Sequence, residues 1–349
     1  MASLTDFLTL GRSGLGVSPL CLGAMTFGPA PGMGVDAAIA TDMIRAYVEA
    51  GGNFIDTADV YGGGESERII GRWLAEEPGR RDRIVLASKF TLGGSAKHPN
   101  GSGNGRKHAY RSLEGSLQRL GTDYLDLYWL HAWDSVTPVE EVVETFDQLI
   151  RSGRVRYWGL SDVPAWYAAR AFSIAERHGM ARPIALQLSY SLADRGIERE
   201  HLPAARELGL GFCPFGPLSG GALTGKYRPD GSGDGRLTKA GFAAYRLKNP
   251  KLWPVLDVLE AVARENGRTP VEVAVHWAGS QHRSTSVLIG ATSVAQLRQN
   301  LTSLEVVLSD EQRRRLDEVS ALEIFSPYHF FQPHSRAQLM GGAPRGWQG

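Results

Sequence analysis

Eight times along the 349 residues, a short apolar run gives way to a longer segment with helical periodicity. The apolar runs fall at 19–25 (PLCLGAM), 54–57, 84–89, 124–130, 155–160, 184–188, 211–214 and 286–289. The amphipathic segments fall at 36–50, 65–75, 107–120, 138–151, 164–178, 199–208, 252–266 with 271–280, and 294–302. Repeated strand-then-helix order implies a parallel sheet, because parallel neighbours need a crossover between them. Eight such units close into a (β/α)8 TIM barrel. The rival is an open doubly wound sheet, which calls for a G-x-G-x-x-G turn after its first strand. The turn here reads MTFGPAPGMG and lacks that spacing. GRSGLG (11–16) precedes the strand and reads as the turn of a hairpin capping the barrel.

Local signals punctuate this pattern. Asp36 is a candidate N-cap for the first helix, and Gly121 and Gly153 stand where helices end. A Gly/Pro-rich stretch over 215–249 reads as one long loop after the seventh strand, and 310–320 as an extra terminal helix. The expected organisation is one domain over 1–349, with the barrel at about 16–305. The tail, 321–349, is aromatic and glycine-rich without a period. It has two readings, a flexible end or a flap over the barrel mouth.

Hydrophobic content of 42% supplies a sizeable core, and a formal net charge of +1 points away from nucleic acid as a partner. Cys21 and Cys213 stand in apolar runs and read as buried free thiols rather than a disulfide framework. No apolar run approaches the roughly 20 residues that span a bilayer, so no membrane partner is expected. The N-terminus lacks the charged and apolar regions of a secretory signal, which makes cytoplasmic location the default expectation. No H-x-x-x-H or C-x-x-C spacing suggests a metal.

The chemistry gathers at strand ends, which converge on one face of a barrel. Asp56 closes NFID, and Tyr61 follows within the glycine-rich turn of DTADVYGGGESERIIG. Lys89 closes RIVLASKF, and His131 closes YLDLYWLH. Hydride reduction of a carbonyl puts charge on oxygen, so a proton donor must stand beside it. A free phenol, with a pKa of about 10, donates poorly near neutrality. A nearby ammonium lowers that value. Lys89 is the candidate cation, Asp56 its anchor, and His131 the group that orients the carbonyl. Each residue alone has an ordinary structural explanation. Their occurrence together at three successive strand ends does not.

This constellation resembles the aldo-keto reductase family over about 16–320. FIDTADVYG, ASKF, YWLH, GLSD, PFGPLSGGALTGKY and IGATSVAQLRQN appear in family order. The resemblance implies a barrel, a catalytic tetrad of Asp56, Tyr61, Lys89 and His131 with the tyrosine as acid–base, and an extended nicotinamide cofactor across the mouth. It places Gly23, Ala24, Met25 and Asp56 along that cofactor. Ser161, Asp162 and Gln187 match positions that hold the carboxamide, with Asp162 standing where Asn is more familiar. Phe215 matches an aromatic that stacks on the nicotinamide ring. The segment 216–226 (GPLSGGALTGK), with Gly216, Pro217, Leu218, Gly220, Gly221 and Lys226, can cradle a pyrophosphate through backbone N–H groups. Lys226 is followed by Tyr227, so this is not a P-loop. Arg236 in the same insertion is a candidate phosphate ligand.

Further along, 290–300 (GATSVAQLRQN) joins a strand end to a helix start, where an anion is favoured. Thr292 or Ser293 would cap that helix. By resemblance the segment takes the adenosine and its 2′-phosphate through Gly290, Thr292, Gln296, Gln299 and Asn300. The last three share one helix face by spacing. Many relatives carry a basic residue at the Gly290 position, Arg at Gln296 and Glu at Gln299, while the channel-subunit branch also carries Gln at Gln296. The resemblance makes NADP(H) the expected cofactor, with NAD(H) as the alternative, toward which the smaller number of cations here weighs.

Phe27, Trp133 and Asp134, with Met25, are the candidate substrate-facing residues, and the partner is a small carbonyl or alcohol. Oligomeric state is open, a homo-oligomer included. Two other functions compete with reduction. One is a cofactor-sensing regulatory subunit like the channel-associated relatives. The other is a Schiff-base lyase using Lys89 as nucleophile, against which an ion-paired lysine argues.

Overall fold

The computed structural model describes residues 3–29, 34–93, 98–233, 235–239, 241–281, 284–332, 335 and 339, with backbone alone for Arg236, Lys239 and 241–243. Its first element is a hairpin of β1 (Leu8–Thr9) and β2 (Gly16–Val17), antiparallel and joined through the GRSGLG turn. Eight parallel strands then close into a barrel. They are β3 (Leu20–Gly23), β4 (Phe54–Asp56), β5 (Val85–Phe90), β6 (Leu125–Leu130), β7 (Val155–Ser161), β8 (Ala185–Ser189), β9 (Gly211–Phe215) and β10 (Val287–Ile289). Each pairs with its sequence neighbour, and β10 closes the ring between β9 and β3.

The helices form the outer layer. They are α1 (Ala37–Glu49), α2 (Glu65–Ala75), α3 (Arg106–Leu120), α4 (Val139–Arg151), α5 (Ala165–Arg177), α6 (His201–Leu208), α7 (Arg236–Lys239), α8 (Leu252–Glu265), α9 (Pro270–Ser280), α10 (Val294–Leu301) and α11 (Asp310–Val319). The expected punctuation is in place. Asp36 caps α1 by accepting from Ile39 N, and Gly121 ends α3 in the left-handed conformation. Ser293, rather than Thr292, caps α10. The terminal helix α11 opens with a reciprocal Ser309–Gln312 capping box and packs on α8. Trp277 of α9 also donates to its Asp317 at 2.9 Å.

One expectation needs correction. The stretch 215–249 is not a single open loop: it winds into a 3-10 turn at Ser219–Thr224, the short α7, and a second turn at Gly241–Lys248. Leu223, Tyr227 and Leu237 are buried there and join the main core, which anchors the insertion while its turns satisfy backbone groups locally. The described part of the tail packs on the loop between β8 and α6, at the end of the barrel where the strands finish. Tyr328 donates to Glu200 at 2.6 Å, Arg199 donates to the Glu323 carbonyl at 2.9 Å, and the Arg199 guanidinium lies 4.6 Å from the Phe325 ring centre. The remaining tail positions lie outside the described residues.

Strand alternation sorts the side chains. Ile55, Leu86, Tyr128, Leu130, Leu186 and Leu188 face the helices and join the main core. Phe54, Ala87, Leu127, Trp129, Ala185 and Cys213 face inward and fill the barrel with Leu10 and Val17 from the hairpin. Trp129 fits only because its neighbour on β7 has no side chain. A Cβ at Gly159 would stand 2.3 Å from its ring.

Candidate active site

The same period of two continues upward from that apolar filling. Two residues after Phe54 comes Asp56, and two after Ala87 comes Lys89. Two after Trp129 comes His131, two after Gly159 comes Ser161, two after Ala185 comes Gln187, and two after Cys213 comes Phe215. Six strands thus present an inward residue at the mouth with no change of register.

Lys89 and Asp56 are each 1% exposed and form a direct ion pair. The ammonium also donates to the Thr57 carbonyl at 2.9 Å and to the Tyr61 hydroxyl at 3.3 Å. The other Asp56 oxygen accepts from Gln187 Nε2 at 3.0 Å. Tyr61 reaches this spot through a tight turn. Gly62, Gly63 and Gly64 all have positive φ (58°, 65° and 89°), a run that side chains with a Cβ rarely adopt. That turn bends the chain into α2 and leaves the partly exposed phenol over the barrel mouth. The His131 ring meets Tyr61 edge-on, with centres 5.8 Å apart.

The electrostatics follow from burial. Desolvation alone would lower the Lys89 ammonium, but the Asp56 carboxylate and Tyr61 outweigh it and hold it above its ordinary value. Desolvation, reinforced by the Lys89 charge, lowers His131 to about 3, so its imidazole is neutral at physiological pH. Tyr61 differs from the sequence expectation. Burial pushes its phenol up, and the Lys89 ammonium pulls against this without reversing it. The resting tyrosine therefore keeps its proton.

The other expected residues distribute as follows. Ser161 and Gln187 are register neighbours on β7 and β8, side by side at the mouth. Gln187 has its amide nitrogen engaged by Asp56, which leaves its oxygen as an acceptor. Asp162 follows with φ 43°, and desolvation pushes its carboxyl up to about 6, an effect screened in part because the residue is exposed. Phe215 is half-buried at the end of β9. A Cβ at Gly216 or Gly290 would meet nothing within 4 Å, so the backbone stands open there to an approaching ligand. Gly220 and Gly221 both have positive φ within the 3-10 turn that follows Pro217 and Leu218. The Lys226 ammonium lies 2.7 Å from where a Cβ on Gly235 would stand, next to the backbone of Arg236. The Arg236 side chain lies outside the described set.

Gly23 and Ala24 continue β3 beside Asp56, whose carbonyl accepts from Ala24 N at 2.8 Å, and Met25 is exposed. Thr292 donates through both its N–H and its hydroxyl to Gln296 Oε1 at 2.9 Å. The shared face expected for Gln296, Gln299 and Asn300 is largely engaged in protein contacts. Gln299 donates to Thr269 at 3.2 Å, and Asn300 is buried and donates to the Gly290 carbonyl at 3.1 Å.

Two of the candidate substrate residues are engaged within the fold. Phe27 is 1% exposed and packs in the main core with α1 and α2 instead of facing the mouth. Asp134 is occupied by its own loop. It accepts from Asn104 N at 2.8 Å, Val136 N at 3.1 Å, Thr137 N at 3.0 Å and the Thr137 hydroxyl at 2.6 Å. Trp133 does stand exposed at the mouth, edge-on to Trp166 of α5 at 5.7 Å. Trp166, Thr57 and Asn104 went unnoticed in the sequence. Thr57 acts through its carbonyl, which residue type cannot signal. For Trp166, an exposed aromatic in the first turn of a helix beginning at a strand end was an available clue.

Comparison with known proteins agrees with this architecture. The Aldo/keto reductase family pattern matches residues 19–321. The norsolorinic acid reductase of Aspergillus flavus is 35% identical over 327 residues, covering 91% of this chain and 81% of that protein. An aryl-alcohol dehydrogenase of Pestalotiopsis microspora is 34% identical over 326 residues, covering 90% and 82%. A probable voltage-gated potassium channel subunit beta of Oryza sativa subsp. japonica is 36% identical over 312 residues, covering 86% and 92%. Matches of this extent, on a closed parallel barrel with its polar residues gathered at the strand ends, leave no ambiguity of kinship: the chain belongs to the aldo/keto reductase family.

Proposed function

We propose that this oxidoreductase reduces an aryl aldehyde or aryl ketone to the alcohol, reversibly, with NADP(H) as cofactor. The observation that carries the reading is the Lys89–Asp56 pair buried beneath a phenol, with the Lys89 ammonium 3.3 Å from the Tyr61 hydroxyl. A bound nicotinamide would supply the hydride. The chain's own residues do the rest. Ser161, Asp162 and the free oxygen of Gln187 form a donor and acceptor set that suits a carboxamide. The open backbone at Gly216 and Gly290, with Lys226 beside Gly221, suits the phosphates and adenosine.

At the carbonyl, Tyr61 gives its proton to the oxygen as charge develops there, and Lys89 stabilises the phenolate left behind. Asp56 fixes the ammonium, and Gln187 fixes Asp56. Neutral His131 donates a hydrogen bond that orients the carbonyl oxygen. The aryl preference draws on the relatives named as norsolorinic acid reductase and aryl-alcohol dehydrogenase, and on Trp133 and Trp166 exposed at the mouth. A Schiff-base route through Lys89 is disfavoured, because a lysine held above its ordinary pKa is a poor nucleophile.

The relatives named as potassium channel subunits support a second reading, a cofactor-sensing subunit. One experiment separates the two: consumption of NADPH, and in parallel NADH, with a panel of aryl and alkyl carbonyls. The reductase reading expects turnover with aryl carbonyls and a preference for NADPH. Tight NADPH binding with no turnover on any carbonyl would favour the sensor.

A further inference from the structure

His131 is held in an unusual way. Its Nδ1 is buried and has no hydrogen-bond partner among the described residues, so no carboxylate or carbonyl aims the imidazole. The ring meets Tyr61 edge-on, and its direction follows the path of its backbone. That path is secured by three polar side chains in the loops that follow β5 and β6. The His131 N–H donates to the Phe90 carbonyl at 3.0 Å and to the Thr91 hydroxyl at 3.2 Å. The Thr91 hydroxyl in turn donates to Asn104 Oδ1 at 2.6 Å. Asn104 Nδ2 donates to the Ala132 carbonyl at 2.9 Å, and Asn104 N donates to Asp134 at 2.8 Å. Asp134 then ties down Val136 and Thr137.

Asn104 is 1% exposed, and each of its polar side-chain atoms faces a partner. Thr91, two residues beyond Lys89, has φ 123°, and Ser135 has φ 60°; both values are costly for residues that carry a Cβ. Such strain persists only where surrounding contacts over-determine the backbone. Here the Thr91 hydroxyl is held between the His131 N–H and Asn104, and Ser135 sits between Asp134 and the Val136 and Thr137 N–H groups that Asp134 accepts from.

We infer that Thr91, Asn104 and Asp134 form a positioning clamp that sets the imidazole of His131 through its backbone. The clamp rests on the reductase reading above, and it reassigns Asp134 from substrate contact to support. It predicts a signature that a merely structural network would not have. Displacement of a catalytic group by about 1 Å can cost about 100-fold in rate. Asn104→Ala should therefore lower kcat by about 10- to 100-fold while the dissociation constant for NADPH stays within about twofold. Thr91→Val, which removes the hydroxyl at nearly constant shape, should do the same, and Thr91→Ser should restore the rate.

The deciding test is a double-mutant cycle with His131→Ala. If the clamp acts through His131, Asn104→Ala should cost less than about twofold in the His131→Ala background. An equal cost in both backgrounds, or a parallel loss of NADPH affinity, would overturn the clamp and leave the reductase reading intact. Full turnover by His131→Ala alone would overturn both the clamp and the role given to His131. If Asn104→Ala fails to fold by circular dichroism, the Thr91→Val and Thr91→Ser pair carries the same cycle.

Discussion

Two ion pairs with buried carboxylates lie back to back across strand β5, and they contrast sharply. Lys89 points into the barrel and meets Asp56. Its neighbour Ser88 points out toward the helices and donates to Glu67 at 2.6 Å, and Glu67 also accepts from Arg119 at 2.6 Å. Glu67 is 0% exposed and both of its oxygens are bonded. The outer carboxylate is therefore fully engaged, a joint between β5, α2 and α3 whose arginine reaches the surface. The inner pair extends toward the mouth, because the ammonium also reaches the hydroxyl of the half-buried Tyr61. Buried charge rarely adds stability over a well-packed apolar core. At the inner pair, then, charge is retained for what it does to the phenol, and at the outer pair for how it joins three elements.

Substitutions that disturb one pair at a time would break or sharpen this contrast. The largest effect is expected at the inner pair. Lys89→Met should lower kcat by about 10³-fold, measured as single-turnover reduction, because the phenolate left by proton donation loses its cation. Next comes the outer pair. Glu67→Gln should destabilise the fold by about 2 kcal/mol in denaturant titration, with kcat near that of the unmodified protein. If Glu67→Gln lost activity as Lys89→Met does, the division of roles would be wrong.

At acid pH the smallest effect belongs to Asp59, whose carboxyl lies beside the outer pair. Desolvation, with Glu67 beside it, raises its carboxyl to about 7. The folded chain therefore keeps a proton that the unfolded chain releases near pH 4. The stability this contributes is complete below about pH 4 and is lost as pH rises toward 7. Asp59→Asn should then leave the melting temperature nearly unchanged at pH 4 and raise it at pH 8. A gain that shrank with rising pH would contradict the assignment.

Much of this was legible from residue order. Alternation along short strands shows which residues share a face, so Asp56, Lys89 and His131 could be placed together without coordinates. The run of glycines after Tyr61 announced a tight turn. What escaped depended on contacts distant in sequence. Nothing local distinguishes an Asp134 that meets substrate from one taken up by Asn104, thirty positions away. The burial of Phe27 could not be read because position, not orientation, was visible. The direction in which the Tyr61 phenol moves required knowing how deeply it is enclosed, since charge and burial oppose one another there. The insertion 215–249 looked structureless because its turns are stabilised by a few long-range apolar contacts instead of a periodic face.

Replacement of the phenol itself is the most direct test of the central claim. With Tyr61→Phe, NADPH should bind with nearly unchanged affinity in a fluorescence titration, while single-turnover reduction of an aryl aldehyde falls by at least about 10³-fold. A variant that still reduced the aldehyde at the original rate would show that the proton comes from elsewhere, and the role assigned to the buried ammonium would go with it.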